Sequence, residues 1–178
     1  MIFPYAYRNG LIAAGIATAY YIVAYFAGLE FYTNFYTPWI FIIGFIIYFI
    51  ITLKKIKGFM GNMTFMQGFA NFFVMSVILL TISNIVNYLI VNVIDPEFGI
   101  AVNDIVIEKV IGIMESMGAP EESISETIIK MEEKIESQSS ISGLLVDTAT
   151  VIFWYSIVGL IVAAVLKSKK EDFIETID

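Results

Sequence analysis

Residues 69–94 read FANFFVMSVILLTISNIVNYLIVNVI, twenty-six positions without one charged side chain. A helix needs about 20 mostly apolar residues, at 1.5 Å each, to cross the hydrocarbon of a bilayer. This stretch exceeds that length. Three further runs in the chain approach or exceed it. Leu11 to Leu29 and Phe35 to Leu53 are nearly as long and carry no charge, and Gly143 to Leu166 carries one, Asp147. Four such runs in 178 residues leave too little polar surface for a soluble core to hide them.

The composition agrees. Apolar residues make up 58% of the chain and charged residues 15%, against roughly 45–50% and about 25% in soluble domains. The runs are apolar all round, with none of the period-two alternation of an outer-membrane strand. In lipid only helices and closed barrels satisfy their own backbone groups. The fold class expected is therefore all-α: a four-transmembrane-helix bundle forming a single membrane domain, with spans at about 8–29, 35–53, 65–94 and 143–166. Arg8 and the trio Ala17-Thr18-Ala19 resemble a signal peptide. Its apolar region, however, runs ten residues past Ala19, longer than such leaders have, so it is expected to be an uncleaved first span.

Orientation follows from the lysines. Arg8 precedes span one, Lys54, Lys55 and Lys57 lie between spans two and three, and Lys167, Lys169 and Lys170 follow span four. The positive-inside rule puts these on the cytoplasmic side, with both termini cytoplasmic. Residues 95–141 would then lie outside. They hold eleven acidic residues against Lys109, Lys130 and Lys134, a net charge of −8, within a chain total of −7.

Local signals fix several ends. Thr64-x-x-Gln67 is a capping box opening span three. Asp95-Pro96 closes it, because proline disfavours helix in the residue before it. The outer segment carries two apolar stripes: Val102, Val106, Val110, Ile113 and Met117, then Ile124, Ile128, Met131 and Ile135. Gly118-Ala119 separates them, and Pro120 suits a first helical position. The spacing predicts an extracytoplasmic amphipathic helical hairpin between helices 3 and 4, with helices near 99–117 and 120–137. Its stripes must pack on each other, the spans, the membrane surface or a partner.

Two motif groups enter and leave span three: Gly61-x-x-Thr64-Phe65-x-Gln67-Gly68-Phe69 and Ile94-Asp95-Pro96-Glu97. Gly118-x-x-Glu121-Glu122 sits mid-loop, and Leu160-Ile161-x-Ala163-Ala164-x-Leu166-Lys167 closes the chain. This order resembles the bacterial membrane family catalogued as domain of unknown function 4199, over nearly the whole chain. The resemblance implies a four-span inner-membrane protein with a long loop before the last helix. It implies no activity and no catalytic residue.

Candidate sites are few. Ser83, Asn84 and Asn87 share one side of span three, and Asp147 is the one ionisable group within an apolar run. Together they are a candidate polar cluster for a solute or ion. Interhelical hydrogen bonding, worth about 0.6 kcal/mol each in membranes, accounts for the amides more simply. Asp147 and Asn87 differ in depth by only about 4–5 Å, so a pairing between them is expected if their helices are neighbours. Lys54, Lys55 and Lys57 are candidate lipid head-group contacts. Trp154 and Tyr155, mid-span, are expected in a buried helix contact. Ala13 with Ala17, Ala24 with Gly28, and Gly159 with Ala163 have the small-xxx-small spacing of packing faces.

Histidine and cysteine are absent, which removes the commonest general base and the thiolate ligands. There is no metal-protease, phosphate-loop or triad motif. No enzyme, metal or cofactor is expected, and no basic patch for nucleic acid. The expected role is a non-catalytic accessory or scaffold subunit, in contact with membrane lipids and a protein partner or a second copy. The alternative is a small transporter or channel component using the polar side of span three and Asp147.

Overall fold

The computed structural model describes residues 4–168, so Lys169 and Lys170, part of the last basic cluster, lie outside the described residues. Among the described residues the chain is all-helical, without a strand. Seven α-helices follow in order: α1 (Pro4–Ala27), α2 (Leu29–Tyr32), α3 (Thr37–Met60), α4 (Phe65–Tyr88), α5 (Pro96–Ser116), α6 (Glu121–Gln138) and α7 (Ile141–Leu166). A π-helical turn, Leu89–Ile94, continues α4. Helices α1, α3, α4 with its π turn, and α7 are each long and apolar enough to cross a membrane.

The long helices start and end where their sequences demand. Thr64 caps α4 reciprocally: its Oγ1 accepts from Gln67 N–H at 3.2 Å, and its own N–H donates to Gln67 Oε1 at 2.9 Å. The helix expected over 65–94 is not uniform, since its last six residues are π-helical and Asp95 N–H reaches back to Ile90 O at 3.0 Å. Asp95-Pro96 does more than stop this helix. Asp95 Oδ1 accepts from Phe98 N–H at 2.9 Å and Pro96 takes the first helical turn, so the same pair opens α5. Helix α5 ends in a Schellman motif: Gly118 has φ 72°, its N–H donates to Glu115 O, and Ala119 N–H donates to Met114 O. Pro120 stands at the N-cap of α6, one place before the position expected.

Helix α4 is the hub, packed between α1 and α7, with α3 touching all three. Small residues permit the approach. Ala6, Gly10, Ala13 and Ala17 form the buried stripe of α1, and a Cβ at Gly10 would stand 3.1–3.2 Å from Ile78 and the Met75 backbone. Gly159 and Ala163 of α7 meet Phe72 and Gly68 of α4. Phe49, Leu53, Ile56, Phe72 and Met75 are fully buried between the helices, where dispersion and close contact hold transmembrane helices together. Trp154, expected in a buried contact, is instead 62% exposed, while its neighbour Tyr155 is buried. Adjacent helical positions point about 100° apart, so only one of the two could face α4.

The two ends of the molecule differ in charge. At one end Tyr5 meets Phe59 edge to face at 5.8 Å. There Lys57 Nζ donates to Leu166 O at 2.9 Å, placing a cation on the C-terminus of α7. Met63 and Ser168 exchange hydrogen bonds beside it. Arg8, Lys54, Lys55, Lys57 and Lys167 thus belong to that end. The opposite end carries α2, α5 and α6. There Tyr25 donates to Asp95 Oδ2 at 2.9 Å, and Lys109 Nζ donates to Thr33 O and Oγ1 at 2.9 and 2.8 Å.

The apolar stripe of α6 turns inward as expected, with Ile124, Ile128, Met131 and Ile135 half-buried. The stripe of α5 is corrected. Val102 and Val110 are half-buried, but Val106, Ile113 and Met117 are exposed, and Ile105, Ile111 and Met114 take the half-buried places. Helix α5 is apolar on more than one side, so spacing alone did not select the covered face.

Candidate functional site at the junction of α4, α6 and α7

A cleft of about 320 Å³ lies where α4, its π turn, α5, α6 and α7 meet α2. Its polar lining includes Asn84, Asn87, Asn92, Lys134, Gln138 and Asp147. Three members of the sequence-derived cluster, Asn84, Asn87 and Asp147, therefore come together. The fourth, Ser83, is buried and lines a separate cavity on the other side of Asn84.

Most of these polar groups are already engaged. Asn84 Nδ2 donates to Thr148 Oγ1 on α7 at 3.1 Å. Asn87 Oδ1 accepts from the Tyr32 hydroxyl at 2.6 Å. The Tyr88 hydroxyl reaches Ser139 O, between α6 and α7, at 3.2 Å. Burial, then Tyr21 and Tyr20 nearby, pushes the Tyr32 phenol well above its ordinary range, so it stays protonated and donates.

The pairing expected between Asp147 and Asn87 is not formed. Asp147 Oδ2 accepts from Gln138 Nε2 instead, while Asn87 takes Tyr32. Both residues line one cleft, but α6 ends over the first turns of α7, where Gln138 reaches the carboxylate first. A half-buried carboxylate in this setting is satisfied by a neutral amide, which compensates part of its desolvation. Tyr32, Gln138 and Thr148 are the site residues the sequence did not single out. Thr148, next to Asp147, was the one with a visible signal. Gln138 and Tyr32 carry none, being polar residues in polar or aromatic surroundings.

The lysines of the α3 end divide. Lys54 and Lys55 are exposed, whereas Lys57 is half-buried and spent on the Leu166 carbonyl.

One carboxylate is held by an amide, and amides and hydroxyls tie α4 to α2 and α7. The model of a family described as a protein of unknown function, DUF4199, matches residues 8–168 of this sequence, and the chain belongs to that family. Among curated proteins and among solved structures nothing matches.

Proposed function

We propose that this chain is a non-catalytic accessory or scaffold subunit of a larger assembly in the bacterial inner membrane, with both termini cytoplasmic and α5 and α6 forming an extracytoplasmic hairpin. The observation that supports this best is the outward apolar edge of α5. Ile113 is 46% and Met117 79% exposed, on a segment beyond the spans that carries eleven acidic residues and three lysines. Apolar side chains on so hydrated an arm gain by being covered by a protein partner or a second copy.

The polar side of α4 favours the same reading over a transporter. A solute path needs converging, available polar groups from several helices. Here Asn84 and Asn87 are committed to Thr148 and Tyr32, and Asp147 to Gln138. Enzyme chemistry would have to rest on that one engaged carboxylate. Lys54 and Lys55, exposed at the basic end, suit anionic lipid head groups.

Two measurements test this. Reporter fusions after Lys57 and Lys170 are expected to read cytoplasmic, and one at Gly118 external; a cytoplasmic signal at Gly118 reverses the orientation. In mild detergent, the protein is expected to run in an assembly well above its own 20.0 kDa. Replacing both Ile113 and Met117 by Glu should reduce it to the single-chain mass by light scattering. A wild-type protein that is monomeric without companions, or a double variant that keeps the full assembly, ends the scaffold reading.

A further inference from the structure

Beside the polar cleft lies a second cavity, of about 360 Å³, among α1, α3, α4 and α7. Its walls are aromatic and aliphatic: Tyr20, Tyr21, Phe41, Phe45 and Tyr155, with Leu79 and Leu80 among the aliphatic residues. No charged side chain lines it. The polar groups of the lining are tyrosine hydroxyls, the Asn84 side chain, whose Nδ2 donates to Thr148, and the Ser83 hydroxyl. Ser83 is 7% exposed, and among the described residues its Oγ is the buried side-chain polar atom left without a hydrogen-bond partner.

That hydroxyl differs from four others in the spans. Thr52, Ser76, Thr148 and Ser156 each donate to the carbonyl four residues back, at 2.7–3.0 Å. This is how hydroxyls in apolar helices satisfy themselves. Ser83 makes no such bond to Leu79. A buried hydroxyl left unpaired is unfavourable, and the native state tolerates it where a ligand completes it.

We propose that this cavity binds a neutral, lipid-soluble ring carrying a carbonyl oxygen, of the quinone class, with the carbonyl accepting from the Ser83 hydroxyl. The aromatic walls favour a flat ring, which they can meet edge to face or offset. A plain acyl chain would fill the volume but leave the hydroxyl unpaired. The absence of charge in the lining excludes an ionic ligand on desolvation grounds. Ser83 stands eleven residues from the end of its span at Ile94, about 16 Å along the helix. A ligand at that depth enters from the lipid, with any isoprenoid tail remaining there. The volume suits a ring with short substituents. The proposal concerns binding, and it does not depend on the scaffold role.

The test uses the full chain in lipid nanodiscs and tritiated decyl-1,4-benzoquinone. Saturable binding is expected. Ser83→Ala should weaken it roughly fivefold, the worth of one neutral hydrogen bond, and Ser83→Thr should retain most of it. Leu80→Trp, which fills the cavity, should abolish it. Gel filtration and circular dichroism establish that each variant is folded; should the tryptophan variant misfold, the serine pair decides. Palmitic acid at equal concentration should not displace the quinone. Non-saturable uptake, equal binding by wild type and Ser83→Ala, equal losses in the Ala and Thr variants, or displacement by palmitate would each overturn the proposal.

Discussion

Gly99→Ala is expected to release α5 from the spans. The site explains why. Val91 lies in the π turn, and its carbonyl lacks its ordinary donors: Asp95 N–H goes to Ile90 O, and position 96 is proline, with no N–H. The first turn of α5 folds back against this carbonyl, and Gly99 is the residue that meets it. A Cβ at Gly99 would overlap the Val91 carbonyl group, which is backbone and cannot swing aside. Overpacking against an immovable group costs about 3 kcal/mol. Amide exchange through residues 96–138 should therefore accelerate on the order of a hundredfold, each 1.4 kcal/mol being tenfold. Exchange in α1 and α4 should change far less, because their contacts with each other are untouched. Gly112→Ala is the control. Gly112 is in the same helix with open space around it, and alanine there should be neutral or stabilising by up to about 1 kcal/mol. Wild-type exchange rates in Gly99→Ala would mean that α5 does not rest on the π turn.

Why the sequence announced the spans but not this contact is a matter of range. Length and hydropathy are properties of a single segment, so the four membrane-length helices could be read directly from their runs. Thr64 and Gln67 interact across three residues, and Gly118 acts within its own turn, so capping was legible too. The Asp95-Pro96 pair was half legible, since its power to stop a helix and its power to start one are encoded by the same two residues. What required the structure were choices between faces. Trp154 and Tyr155 are neighbours of similar polarity, and only the packing of α7 on α4 decides that Tyr155 is buried. Val106 and Met114 are both apolar residues of α5, and which of them is covered depends on how α6 lies. The candidate cluster showed the same limit. Asn84, Asn87 and Asp147 line one cleft, but their partners Thr148, Tyr32 and Gln138 come from three different elements. No local pattern marks Gln138, sixteen residues beyond Glu122 at the end of a polar helix, as the partner of a carboxylate in the next helix.

Gly159→Ala is expected to disrupt the packing of α7 on α4 in the interior of the spans. Helices α4 and α7 are in close contact through Phe72, which stacks over Gly159. A Cβ there would lie 2.6 Å from Phe72 Cδ1 and 3.1 Å from its Cε1. Whether this matters depends on the freedom of the ring, and the ring has little. Phe72 is fully buried, and it meets the equally buried Phe49 of α3 edge to face, with centroids 5.6 Å apart. Moving it would disturb α3 as well as α7. The expected loss is about 2 kcal/mol, measured by titrating SDS into mixed micelles and following helix content. Gly44→Ala, at a position with open space around it, supplies the contrast: alanine favours the helix there by up to about 1 kcal/mol. The decisive variant combines Gly159→Ala with Phe72→Leu. If the clash is the cause, the smaller side chain makes room for the new methyl group. The double variant should then be more stable than the two single losses add up to, by about 1–2 kcal/mol. Strict additivity would place the cost of Gly159→Ala elsewhere, in the helix α7 itself, and would remove Phe72 as the element that sets the distance between α4 and α7.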